Sequence, residues 1–214
     1  MDSRHFTATD RLIEGLDQAL HTIFGPAPAA SSASPAAGIA EPDLDAAARL
    51  LAGRLMRVDH AGEIAAQALY RGQALSARLP EVREKMEQAA REENDHLHWT
   101  AERARELGVP TSMLAPLWYG GSFAIGVLAG AAGDRWSLGF VAETEHQVMA
   151  HIDSHLEQLP QADARSRTIL ERMRADESRH ATVAIEAGAV DLPVPVRRLM
   201  TAVSRFMTWT AFRI

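Results

Sequence analysis

A Glu-x-x-His pair occurs twice in this chain, at Glu93-Asn94-Asp95-His96 and at Glu177-Ser178-Arg179-His180. On an α-helix, residues three apart share a face, so each pair points a carboxylate and an imidazole at one place. The neighbouring residues say that this place is a core. Met86, Ala89, Glu93, His96 and Thr100 are spaced 3, 4, 3 and 4, and Leu170, Met173, Glu177, His180 and Ala184 keep the same rhythm. That is the stripe an amphipathic helix buries. An unpaired charge is very costly to bury, so these residues need partners, and a metal ion answers the need.

Each pair has a carboxylate upstream. Glu63 precedes Glu93 by 30 residues (93 − 63), and Glu145 precedes Glu177 by 32 (177 − 145). The chain thus reads as two similar halves. Glu145 continues a seam of Leu138, Val141, Val148 and Ile152, and Glu63 sits beside Leu55, Val58, Gly62 and Leu69. A four-helix bundle holding two metals takes one Glu from each of two helices and a Glu-x-x-His pair from each of the others. The candidate ligands are therefore Glu63, Glu93, His96, Glu145, Glu177 and His180. Four carboxylates nearly neutralise two divalent cations, and oxygen-rich ligation with imidazole and no sulfur suits iron or manganese. The alternative is that these are surface charges of helices, which is the reading given to Glu92, Glu143, Glu171 and Asp176. Asp95 and Asp176 adjoin candidate ligands but point elsewhere on a helix, so they are excluded as ligands.

The rest of the chain fits an all-α, ferritin-like four-helix bundle with a short helix at each end. Residues 9–24 place Leu12, Ile13, Leu16, Leu20 and Ile23 at helical spacing. Residues 25–41 form a Pro/Ala/Ser linker, and the bundle domain is expected over 42–214, after an N-terminal helix within 1–24. Long helices are expected over 43–78, from Pro80 to Leu107, over 134–158 and over 162–187, with Gly108, Pro110 and Gly188 as stops. A last helix is expected over 195–212. The absence of cysteine excludes disulfides, Cys-ligated zinc, iron–sulfur clusters and thiol catalysis. The net charge of −6 argues against nucleic acid as a partner. The N-terminus, MDSRHFTATDRLIEGL, has no uninterrupted apolar stretch and no cleavage pattern of a secretory signal.

These residues resemble a known family. The string Arg57-Val58-Asp59-His60-Ala61-Gly62-Glu63, followed by Tyr70-Arg71-Gly72-Gln73, is similar to the first metal helix of the demethoxyubiquinone hydroxylases. Glu93-Asn94-Asp95-His96-Leu97 resembles their second ligand motif, Glu145 with His151 six residues on the third, and Asp176-Glu177-Ser178-Arg179-His180 the fourth. The resemblance covers about residues 44–213, and the short N-terminal helix and linker look like those of bacterial members.

The resemblance implies an oxygen-dependent monooxygenase of ubiquinone biosynthesis. Its substrate would be a polyprenylated 3-methyl-6-methoxy-1,4-benzoquinol, hydroxylated on the ring at two iron ions that start as Fe2+. One oxygen atom would enter the ring and the other would leave as water, with electrons from NADH. The implied setting is peripheral, on the cytoplasmic face of the bacterial cell membrane. A lipid-presenting partner, a ubiquinone-biosynthesis complex and a homo-oligomer are all compatible with it.

Several other residues have two readings. Asp59 and His60 stand within about a turn of Glu63, either as hydrogen-bonding partners of ligands or as a surface pair. His151 lies near the Glu145 seam and holds either a ligand, a proton or the ring, or else bonds the backbone in a core. His98, His146 and His155 are given no role. Tyr70 is seven residues past Glu63, about 10 Å along a helix at 1.5 Å per residue, and is read as packing.

A long isoprenoid tail requires contact with a membrane or a lipid carrier. Residues 113–133 are uncharged, Gly-rich and long enough to span a membrane, but they are expected as a short buried or interfacial helix. In the last helix Val196, Leu199, Met200, Val203, Phe206 and Met207 form an apolar face, beside Arg197, Arg198, Arg205 and Arg213. A basic amphipathic helix of this kind suits an anionic membrane surface; the alternative is packing on the bundle or on a second subunit. The rival function is a ferritin-like ferroxidase without an organic substrate. A rubrerythrin-type peroxidase is disfavoured because its usual Cys₄ iron module has no counterpart here.

Overall fold

The computed structural model describes residues 8–25 and 32–214. The apolar side chains of Leu12, Ile13 and Leu16, and the linker residues 26–31, lie outside the described parts. All secondary structure among the described residues is helical: α1 (Ala8–Phe24), α2 (Ala46–Ser76), α3 (Pro80–Glu106), α4 (Ala115–Ala132), α5 (Asp134–Gln158), α6 (Ala164–Glu186) and α7 (Val194–Ala211).

Local chemistry sets the helix ends. Asp45 caps α2 by accepting a hydrogen bond from the Ala48 N–H at 2.8 Å, and Asp163 caps α6 by accepting from Ser166 N–H at 3.1 Å. Pro80 opens α3, where its missing N–H costs nothing. At the end of α3, Gly108 takes a φ of 78°, which lets the Val109 N–H reach back to the Ala104 carbonyl at 2.9 Å.

The bundle is α2, α3, α5 and α6, made of two hairpin-like pairs, α2 with α3 and α5 with α6. Two apolar clusters cap its interior. One contains Leu55, Met56, Trp99, Ile152, Leu170 and Met173. The other contains Tyr70, Val82, Met86, Leu138 and Val141. In every bundle helix the candidate ligands lie between these two groups in sequence, so the polar centre is enclosed by apolar layers at both ends. Tyr70 is fully buried in the second cluster, as its reading as packing expects.

Of the two forms expected for the crossover, a short buried or an interfacial helix, α4 departs from the buried one. It is 18 residues long, and only Ala115, Trp118, Tyr119, Gly126 and Gly130 are buried. Leu117, Ile125 and Leu128 point outward. Among the described residues it is the one helix long and apolar enough to cross a membrane. It lies along the outside of α2 because glycines let the two backbones touch. A methyl group on Gly126 would fall 2.2 Å from the Leu69 carbonyl oxygen, and one on Gly72 2.3 Å from that of Phe123.

The terminal helices dock on this scaffold. Ala19 and Ile23 of α1 pack beside Ile64, Leu97 and Tyr119, and Thr22 hydrogen-bonds Gln67 at 2.5 Å. Only the end of α7 is buried, at Thr210 and Ala211. Arg57 holds it there, donating to the carbonyls of Ala211 and Phe212 at 2.7 Å each. Most of the apolar face of α7, with Leu199, Val203, Phe206 and Trp209, stays exposed. Packing accounts for Met207 and Phe212, and Phe206 meets the Trp118 ring edge-on at 6.2 Å between centroids, while Leu199, Val203 and Trp209 stay exposed.

Candidate metal centre

Each bundle helix brings its acidic residue to the axis between the two apolar clusters. Glu63, Glu93, His96, Glu145, Glu177 and His180 are all buried, and none exceeds 6% exposure. They form two overlapping groups of four. Glu63, Glu93, His96 and Glu177 make one, and Glu93, Glu145, Glu177 and His180 the other; in each, one donor atom per residue lies within 4.8 Å of the rest. Glu93 and Glu177, the carboxylates of the two Glu-x-x-His pairs, belong to both groups.

The distances show how the imidazoles face the centre. His96 Nδ1 is 3.0 Å from Glu93 Oε2, 3.0 Å from Glu177 Oε1 and 3.5 Å from Glu63 Oε2. His180 Nδ1 is 3.1 Å from Glu177 Oε2 and 3.4 Å from Glu93 Oε1. Thus Nδ1 of both rings is the inward nitrogen.

The outward nitrogens meet two residues that were assigned to the helix surface. His180 Nε2 is 2.7 Å from Glu92 Oε2, and His96 Nε2 is 3.4 Å from Asp176 Oδ2. Each acid comes from the helix opposite its histidine, so α3 and α6 brace one another's rings. The surface assignment of Asp176 is therefore corrected: it is buried, and only 8% exposed. It meets the outward nitrogen of His96 and not the inward one. One sequence signal existed for both, an acidic residue directly before each Glu of Glu-x-x-His. Arg179 ties the pair together, donating to Glu92 at 3.2 Å and to Asp176 at 3.3 Å. A cavity of about 550 Å³ opens on this α3–α6 side and reaches both rings past Trp99, Arg172 and Arg179.

Crowding dominates the electrostatics. Burial, and then Glu93, push the Glu63 carboxyl well above its usual range. Burial, and then Glu177, do the same to Glu145. Burial alone would lower the imidazoles, but the carboxylates override it: Glu93 and its neighbours raise His96, and Glu177 and Glu93 push His180 up to about 12. Without a cation, protons must hold the cluster together. Even so, Glu145 Oε1 is buried without a hydrogen-bond partner, and the imidazole contacts of Glu93 Oε1 and Glu177 Oε1 lack hydrogen-bond alignment. Unmet acceptors on converging carboxylates, with two inward imidazole nitrogens, are a donor set that fits divalent cations.

His151 does not join the six. It turns instead to Asp59, with His151 Nε2 at 3.9 Å from Asp59 Oδ1. His155, given no role from sequence, is buried beside it, with Nδ1 2.8 Å from the same oxygen. Burial holds both His60 and His151 down to about 4, helped in His151 by His155. Asp59 thus faces α5, and His60 is buried with Nδ1 unpartnered.

Four helices that gather two lone Glu residues and two Glu-x-x-His pairs at one buried point define the carboxylate-rich, ferritin-like class of helical bundle. Comparison with known proteins narrows the class. The chain belongs to the COQ7 family, described as "Ubiquinone biosynthesis protein COQ7", whose pattern matches residues 51–211. A Nitrosococcus oceani protein named 3-demethoxyubiquinol 3-hydroxylase is 59% identical over 214 residues, the whole of both chains. Proteins of the same name from Azotobacter vinelandii and Acinetobacter baylyi are 55% and 53% identical, over 100% and 99% of this chain and 99% and 100% of their own.

Proposed function

We propose that this chain hydroxylates the ring of a polyprenylated demethoxyubiquinol with O2, at two iron ions held by Glu63, Glu93, His96, Glu145, Glu177 and His180. The observation that carries the reading is the pair of four-residue groups sharing Glu93 and Glu177, in a chain matching named 3-demethoxyubiquinol 3-hydroxylases from end to end. Iron bound there supplies the redox chemistry by which O2 gives one oxygen atom to the ring and the other to water, with two electrons that originate in NADH.

The protein's own residues supply order and shelter. Glu92 and Asp176 hold the rings of His180 and His96 so that Nδ1 faces inward. The apolar layers around Met56 and Trp99 at one end, and Tyr70 and Leu138 at the other, exclude bulk water. Glu93 and Glu177 each belong to both groups and would be shared by two ions held there. The exposed apolar residues of α4 and α7, with Arg197, Arg198, Arg205 and Arg213, form a surface suited to the cytoplasmic face of an anionic membrane, where the isoprenoid tail resides.

The test is anaerobic loading of the purified protein with Fe(II), followed by labelled O2 with and without a short-tailed demethoxyquinol. Two irons per chain and a ring gaining one ¹⁸O establish the hydroxylase. Iron oxidised with no organic product, whatever the quinol, replaces it with the ferroxidase reading.

A further inference from the structure

Asp59, His151 and His155 form a group of their own outside the six-residue cluster. His151 and His155 are four apart on α5, the spacing that stacks two imidazoles on one helix face. Their ring centroids are 3.9 Å apart. Asp59 faces them from α2, and one donor atom from each residue lies within 4.8 Å of the others. His151 and His155 are six and ten residues beyond Glu145, about 9 and 15 Å along the helix, and Asp59 is four before Glu63, about 6 Å, so the trio sits one to three turns from the six.

The contacts inside the trio are close but unsatisfied. His155 Nδ1 and Asp59 Oδ1 are 2.8 Å apart, yet lack the alignment of a hydrogen bond. Asp59 Oδ2 and His151 Nε2 likewise have no hydrogen-bond partner. Asp59 and His155 are each only 4% exposed, so water does not serve them freely. Leaving such groups buried and unmet is destabilising. Three donor atoms that converge in this way, with their hydrogen-bond geometry unmet, are an arrangement a bound cation would satisfy.

We propose that Asp59, His151 and His155 bind a single divalent transition cation, of which Zn2+ is the representative, at a site separate from the six-residue cluster. Two imidazoles and one carboxylate are a zinc-type donor set, and such three-residue sites complete their coordination with water. The His151 side chain, 27% exposed, leaves the opening for that water. The cation would pin α5 to α2 beside the stretch that carries Glu63.

The experiment counts zinc on the metal-free, full-length protein, titrated with Zn2+ against a chromophoric chelator and assayed by elemental analysis after desalting. Wild type is expected to bind three Zn2+ per chain. Asp59→Asn and His151→Asn are each expected to bind two, while a Glu177→Gln, His180→Asn double variant keeps one high-affinity ion. Loading that double variant with Co2+ should give ligand-field bands that vanish when Asp59→Asn is added. A zinc count that neither Asp59→Asn nor His151→Asn lowers overturns the site; so does a double variant that binds none. His151→Asn changes a part-exposed position, and its helical content, checked by circular dichroism, keeps the test valid if Asp59→Asn misfolds. Zinc retained on the trio but absent from the six-residue cluster leaves this proposal standing, and the Fe(II) loading described above tests the other centre independently.

Discussion

Glu92 on α3 holds the outward nitrogen of His180 on α6 at 2.7 Å. Asp176 on α6 returns the arrangement to His96 on α3 at 3.4 Å. A carboxylate behind an imidazole fixes its ring plane and makes its other nitrogen a better ligand. Glu92→Ala and Asp176→Ala are expected to weaken metal binding by about 10–100-fold each, with the helices intact. Chelator competition measures this, and unchanged affinity in both would show that the contacts only tidy the surface.

Removing an inward residue has a larger effect. Glu177→Ala and His180→Ala are expected to abolish oxygen-dependent hydroxylation while circular dichroism stays near that of wild type. Full turnover by either variant would show that the site has been wrongly placed.

Metal loading should release protons. The carboxylates raise His96 and His180, so both rings are protonated near neutrality in the metal-free cluster. The raised imidazoles stabilise the metal-free fold fully below the unfolded histidine value of about 6.5, and that contribution is lost as pH rises, for His180 through about 12. A cation competes with the same protons, so its affinity rises with pH. Titration with Fe(II) under argon in weakly buffered solution, read with a pH indicator, should show acid release. Affinity independent of pH between 6 and 8 would contradict the electrostatics described above.

Gly126→Ala tests the crossover. Its methyl group would meet the Leu69 carbonyl at 2.2 Å, and neither backbone can yield locally. Forced overpacking typically costs about 1–3 kcal/mol, which lowers the thermal midpoint by several degrees. A midpoint equal to that of wild type would mean that α4 lies less tightly on α2.

The exposed face of α7 carries the membrane prediction. Replacing Leu199, Val203 and Trp209 together by serine should reduce binding to vesicles of anionic lipid without altering the metal count. Because Arg57 grips the last turn, these changes leave the docking end in place. Equal recovery with vesicles would leave α7 without a lipid-binding role.

The bundle was readable because Met86-Ala89-Glu93-His96 and Leu170-Met173-Glu177-His180 each put chemistry on an apolar stripe, and spacing alone says which face is inward. Partners reached sideways were not readable. Glu92 and Asp176 sit one position before a candidate ligand, about a quarter-turn around the helix. Whether such a residue meets solvent or a neighbouring histidine depends on how α3 and α6 are rotated against each other. His155 was passed over for a similar reason, since its partner Asp59 is on a different helix. The glycines of 113–133 announced close approach but not what would approach.

The contact between α2 and α4 is main chain against main chain at Gly72 and Gly126, so there are no rotamers at those points to take up slack. α4 is therefore a rigid outrigger on the helix that carries Glu63. Leu117, Ile125 and Leu128 hold a fixed bearing relative to the buried centre, and whatever surface they rest on sets the heading of the whole bundle.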